Sequence, residues 1–168
     1  MIVAGETEAG AVFARSDAEV ADLIDHIMTG LNQGGRTADG FETPPEFGTL
    51  AIVEGEYPQE TNERWPISYL QVSVNTSNQY GALTWYTTRT PEGAGNDHIS
   101  QFVWISYNPN PPLLDPRLIL DPGTPIYFPI EAALPVAQVR EAAEEFCRVR
   151  TGDRPECIQW MVDPNSLY

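Results

Sequence analysis

Ile126-Tyr127-Phe128-Pro129, Leu134-Pro135-Val136, Thr151-Gly152-Asp153-Arg154-Pro155 and Cys157-Ile158-Gln159-Trp160 punctuate the closing third of the chain, and their order decides the fold. Between the second and third pieces, Val136, Val139, Ala143, Phe146 and Cys147 recur at helical spacing, which predicts a helix over about 135–150 with one buried stripe. Pro135 suits its first turn, where a missing N–H costs nothing. Gly152 can supply a left-handed stop, and Pro155 prevents continuation. Arg140–Glu144 and Glu144–Arg148 are i, i+4 pairs, each contributing about 0.2–0.5 kcal/mol. A strand before the helix, ending near Phe128, and a second from Cys157 to Met161 complete the unit.

Working outward, Ile67–Val74, Tyr80–Thr88 and Ile99–Tyr107 alternate with a period of two and are rich in β-branched and aromatic residues. The first puts Leu70, Val72 and Val74 on one side. The second puts Leu83 and Trp85 opposite Tyr80, Ala82 and Tyr86. The third sets Phe102 and Trp104 against Val103, Ile105 and Tyr107. Asn75-Thr76-Ser77-Asn78 and the Pro91–Asn96 stretch supply turns, so these strands should pair as an antiparallel meander. Thr49–Val53 reads as a further short strand. Residues 1–14 offer a weak strand at most, and 32–48 read as a loop. Six prolines between Asn108 and Pro125 predict a stiff loop, and Leu113, Leu114, Leu118, Ile119 and Leu120 should hold it against the rest of the chain.

Ser16-Asp17-Ala18-Glu19 has the capping-box pattern, in which the serine oxygen and the glutamate carboxylate satisfy free backbone N–H groups reciprocally. Val20, Leu23, Ile24, Ile27, Met28 and Leu31 then mark a helix over about 16–31, ended by Gly30, Gly34 and Gly35. His26 lies on its flank as a solvated or capping residue. The whole reads as one α+β domain over 1–168, a mostly antiparallel sheet with two main helices packed on it.

Charge is the compositional signal. The chain has 168 residues and a formal net charge of −15. All nine basic residues are arginine. Residues 1–63 hold 13 carboxylates against two arginines, and residues 64–168 hold 11 against seven. Such a field repels nucleic acid and anionic membranes and attracts basic partners. It also keeps a protein soluble, and composition alone favours that simpler role. No run of about 18 apolar residues predicts a membrane span. The start lacks a secretory pattern, so a cytoplasmic protein is expected. Cys147 and Cys157 lack metal-ligand spacing and read as reduced thiols, with a disulfide left open.

Catalytic motifs are missing from the sequence. There is no Gly-x-Ser-x-Gly elbow and no Walker loop, and a chain without lysine forms no Schiff base. Two cysteines and two scattered histidines make no zinc cluster. Asn96-Asp97-His98 reads as turn chemistry rather than acid–base machinery. Carboxylate pairs are plentiful because carboxylates are plentiful, and sequence cannot fix the separation a glycosidase-like pair needs. Trp85, Tyr86, Trp104 and Tyr107 read as core and sheet surface rather than a base-stacking platform. No cofactor is expected.

The closing motifs, with Val139-Arg140-Glu141-Ala142 and Glu145-Phe146 between them, resemble the C-terminal signature of a bacterial polymorphic-toxin immunity family, the first numbered class of such proteins. Gly81-Ala82-Leu83-Thr84-Trp85 is similar to that family's central Gly-x-Leu-x-Tyr/Trp strand. The likeness spans roughly 50–160. The 108–125 loop is longer than usual, and the first 48 residues match only as a helix. The resemblance implies a small cytosolic protein, made beside a secreted toxin, that binds and blocks the toxin domain. Its members are associated with several toxin chemistries, cytosine deamination of DNA among them, and are not enzymes, so no catalytic residue carries over. It casts Phe128, Pro129, Arg154, Pro155 and Trp160 as fold residues, with Arg154 bonding a carboxylate or helix end and Trp160 filling the core.

Under that resemblance the acidity acquires a target, the basic cleft of a nuclease or DNA-acting deaminase. Glu54, Glu56, Glu60 and Glu63 lie in ten residues with no basic residue among them. With Tyr57 and Trp65 as aromatic anchors they are the expected partner-binding set. Two other readings stand beside this one: a general acidic interaction module or chaperone, and a carboxylate-dependent hydrolase.

Overall fold

The computed structural model describes residues 1–55, 68–87 and 102–166. Its strands are β1 (Ile2–Thr7), β2 (Gly10–Ala14), β3 (Gly35–Arg36), β4 (Glu42–Thr43), β5 (Gly48–Val53), β6 (Ser68–Asn75), β7 (Tyr80–Thr87), β8 (Trp104–Tyr107), β9 (Ile119–Asp121), β10 (Ile126–Tyr127), β11 (Leu134–Pro135) and β12 (Gln159–Val162). Its α-helices are α1 (Asp17–Thr29) and α2 (Val136–Val149). The main sheet has eight strands in the order β12-β8-β7-β6-β5-β1-β2, with β11 also pairing β7. Every pairing in it is antiparallel. The expected α+β class and the β6–β8 meander are therefore present, and the short strand at β5 joins it by pairing β6.

The period of two sorts the sheet's faces. Val3, Leu50, Leu70, Val72, Val74, Leu83 and Trp85 are buried in one cluster with Leu23, Ile24 and Ile27 of α1 and Val139, Ala142, Ala143, Phe146 and Cys147 of α2. Ala82 and Ile105 point the other way and pack on Leu118, Phe128, Ala132 and Ala133. Ser16 caps α1 in the full capping box. Backbone N–H groups of Ser16 and Arg15 bond the Glu19 carboxylate and hold its pKa below the ordinary range.

The helices run antiparallel, because both ends of α1 meet opposite ends of α2. Asp17 Oδ1 accepts from Arg150 Nη2 at 3.1 Å, and Asp25 Oδ1 accepts from Arg140 Nη1 at 2.6 Å. The i, i+4 pair Arg140–Glu144 is looser, at 3.8 Å. Arg140 thus serves chiefly to tie one helix to the other.

Gly81, Leu83 and Trp85 are alternate residues of β7 facing α2. A Cβ on Gly81 would lie 2.8 Å from the Ser73 carbonyl oxygen and 3.1 Å from Val139 Cγ2. The Gly-x-Leu-x-Trp pattern is therefore a close seat for the helix followed by two core side chains.

Some expectations are corrected. Residues 1–14 form a hairpin, β1–β2, and β1 is an interior strand pairing β5 as well. Small residues hid it: Ala4 and Ala14 are buried and give little periodic signal. The left-handed residue ending α2 is Arg150 (φ 55), not Gly152. Gly152 also has positive φ (78), but in the following turn, where a Cβ would lie 3.1 Å from Ser68 Cβ. The 108–125 stretch is not all loop. Ile119–Asp121 pairs Ile126–Tyr127, Leu118 and Ile119 are buried, and Leu113 and Leu114 are exposed. The last strand is Gln159–Val162, two residues later than its expected start.

Ser106 fills a break in the sheet. β8 leaves β7 after Ile105, and the Ser106 hydroxyl takes over, accepting from Leu83 N at 3.1 Å and donating to the Ala132 carbonyl at 2.7 Å. Both bonds are buried. Ser106→Ala strands the Leu83 N–H, so urea denaturation should show a loss of about 1–3 kcal/mol. Ser106→Thr, which keeps the hydroxyl, should lose less.

Candidate partner-binding surface

Glu54 follows the end of β5 and is exposed. Glu56, Tyr57, Glu60, Glu63 and Trp65 lie outside the described residues. The same holds for the Pro91–Asn96 turn and for Asp97 and His98. Elsewhere the carboxylates divide by use. Glu46 is structural: its carboxylate accepts from Glu8 N at 2.6 Å and Asn32 N at 3.3 Å, tying the 32–47 connection to the first hairpin. Glu6 and Glu8 stand exposed beside it, around a shallow hollow that also includes Phe47. Asp22 is exposed on α1, between the ion-paired Asp17 and Asp25.

Glu145 is also structural. Burial pulls its carboxyl upward, but bonds from the Cys157 thiol and from the Glu156 and Cys157 amides prevail and leave its pKa below the ordinary range. Among the described residues, no group of three or more His, Cys, Asp or Glu could hold a metal ion. No helix there is long and apolar enough to cross a membrane.

The feature that sequence reasoning missed is built by the Thr151–Pro155 turn. Trp85 Nε1 donates to the Gly152 carbonyl at 3.1 Å, and Trp160 Nε1 donates to the Pro155 carbonyl at 2.8 Å. Two indoles from separate strands thereby hold the turn at both ends. Held there, the Arg154 guanidinium carbon lies 4.2 Å from the Trp104 ring centre, 5.8 Å from Trp85 and 6.0 Å from Trp160. The carboxylate or helix end expected for Arg154 is not what it meets; it meets indole faces. Among the described tryptophans Trp85, not Trp160, is the fully buried one, and Trp160 is half-buried at the core's margin. The sequence places Trp85, Trp104 and Trp160 on separate strands, and it is the pairing of β8 with both β7 and β12 that brings them together.

At the opposite end of the sheet, asparagines brace the proline-rich loop. Asn75 Nδ2 and Asn78 Nδ2 both donate to the Pro116 carbonyl, and Asn108 Nδ2 donates to the Ala133 carbonyl at 2.7 Å. This rigid loop holds Leu113 and Leu114 out in solvent, 100% and 84% exposed.

An antiparallel sheet roofed by two antiparallel helices defines the class as α+β. Residues 8–162 match the family described as Immunity protein Imm1, and the chain belongs to that family. Membership makes it an immunity protein, with a cognate toxin as its partner. No curated protein matches the chain.

Proposed function

We propose that this immunity protein neutralises a toxin domain that acts on nucleic acid, a DNA cytosine deaminase or a nuclease, by laying an acidic surface against its basic cleft. It works by occupancy rather than turnover, in the cytoplasm, as one domain spanning 1–168. The observation that carries this reading is the net charge of −15 in a member of an immunity family. An enzyme that grips phosphates presents a basic surface, and a strongly acidic inhibitor is steered onto it. In this reading Glu54, Glu56, Glu60 and Glu63 supply the field, and Tyr57 and Trp65 supply the desolvated contacts that slow dissociation.

Co-expression with the toxin domain encoded beside it should rescue growth. Changing the four glutamates to glutamine should slow association on the order of tenfold or more at low salt and flatten its salt dependence. Tyr57→Ala and Trp65→Ala should instead speed dissociation. If affinity and salt slope survive all six changes, the interface lies on another surface.

A further inference from the structure

We infer that the tryptophan-walled groove at Arg154 receives a side-chain carboxylate of the toxin domain, one set among basic residues. This rests on the toxin-binding reading above and places one contact within it.

Arg36, Arg140 and Arg150 each pair with a carboxylate. Arg154, in a chain with 24 carboxylates, makes no ion pair or hydrogen bond among the described residues. Its Nη1 is buried without a partner. Burial also pulls its pKa down, the mark of a cation that has lost water without gaining a counter-charge. Stacking on Trp104 offsets part of that cost but leaves the buried Nη1 unmet. An unpaired, half-desolvated guanidinium is an unfavourable way to close a fold, since an apolar residue would fill the space at lower cost. A planar fork held rigid by indoles is, however, preorganised for a carboxylate, which it can bind through two parallel bonds.

The groove beside it is walled by Trp85, Pro155, Ile158 and Trp160, so an arriving side chain leaves water. Asp153 and Glu156 also line it. They disfavour an isolated anion and favour a carboxylate carried on a basic surface. That selects an acidic residue inside a cationic cleft, which is what a nucleic-acid enzyme offers.

The test uses the full chain and the toxin domain encoded by the adjacent gene. Arg154→Gln removes the charge, and Arg154→Lys keeps it without the planar fork. Both should weaken binding at least tenfold by calorimetry, while the urea midpoint of Arg154→Gln stays at or above wild type. Retained affinity in both variants, with the glutamate set still weakening binding, overturns the groove contact and leaves the proposed function standing. Affinity lost only in proportion to the unfolded fraction overturns it too, making Arg154 a fold residue. Free chain that sediments as a dimer, dissolved by Arg154→Gln, also overturns it, because the groove's occupant is then a second copy. A wild-type chain that fails to bind the toxin domain overturns both readings.

Discussion

Trp85→Ala should cost about 3–5 kcal/mol of stability, the largest loss expected from a single substitution in this protein. Trp85 is 2% exposed and lies on the helix-facing side of β7, between Leu70 of β6 and Trp104 of β8. Truncation removes an indole from the centre of the core and leaves a cavity that strands on both sides can only partly close. It also removes the donor to the Gly152 carbonyl, adding about 1 kcal/mol and releasing one end of the Thr151–Pro155 turn. For a chain of this size each kcal/mol lowers Tm by roughly 2–4 °C, so the thermal midpoint should fall by about 10 °C or more. Trp85→Phe keeps much of the buried area and should cost less than half as much. Trp160→Ala is the control. Its ring is only half-buried, so a loss as large as that of Trp85→Ala would show that the turn, not the core, carries the stability.

That comparison bears on what the sequence could reveal. Strong periodicity exposed α1, α2 and the β6–β8 meander, because alternate burial of large side chains leaves a pattern. The first hairpin left none: Val3, Ala4, Gly5 and Ala14 are too small to register, although β1 is bonded on both sides. Leucine content misled at Leu113 and Leu114, where composition implies burial and bracing by Asn75 and Asn78 keeps the pair in solvent. The Arg154 cluster was illegible for a different reason. Its members lie on three strands and a turn separated by up to 75 positions, and only strand order brings them together. The family signature is readable afterwards as mechanics: Gly81, Leu83 and Trp85 seat α2, and Thr151–Pro155 hangs from two indoles. The acidic set at 54–65 gained from the structure only the exposed position of Glu54.

Both thiols of the native protein should alkylate about a thousandfold more slowly than an ordinary cysteine at pH 8. Burial pushes Cys147 up to about 12, with Arg150 opposing and Glu144 adding to the shift. Cys157 is also pushed up to about 12, by burial of its sulfur and then by its bond to the Glu145 carboxylate, although the residue as a whole is exposed. At pH 8 a thiol with that pKa is thiolate in about one molecule in ten thousand, against roughly one in four for a free cysteine near 8.5. Iodoacetamide labelling, followed by mass spectrometry, should therefore accelerate about tenfold per pH unit from 8 to 11, where free cysteine levels off. Glu145→Gln removes the anionic acceptor and should speed Cys157 while leaving Cys147 protected.

The linkage has opposite signs for the two kinds of group. Each thiol is held protonated by folding, so its contribution is complete below the unfolded value near 8.5 and is lost as pH rises through the folded value. Glu145 has a lowered pKa, so its contribution is present above the unfolded carboxylate value and is lost as pH falls through the folded one. Because Cys147 sits in the same cluster as Trp85, its labelling also reports opening of that core. In Trp85→Ala the Cys147 rate should rise in step with the lost stability. Native Cys147 reacting as fast as free cysteine would contradict both the packing and the titration assigned to it.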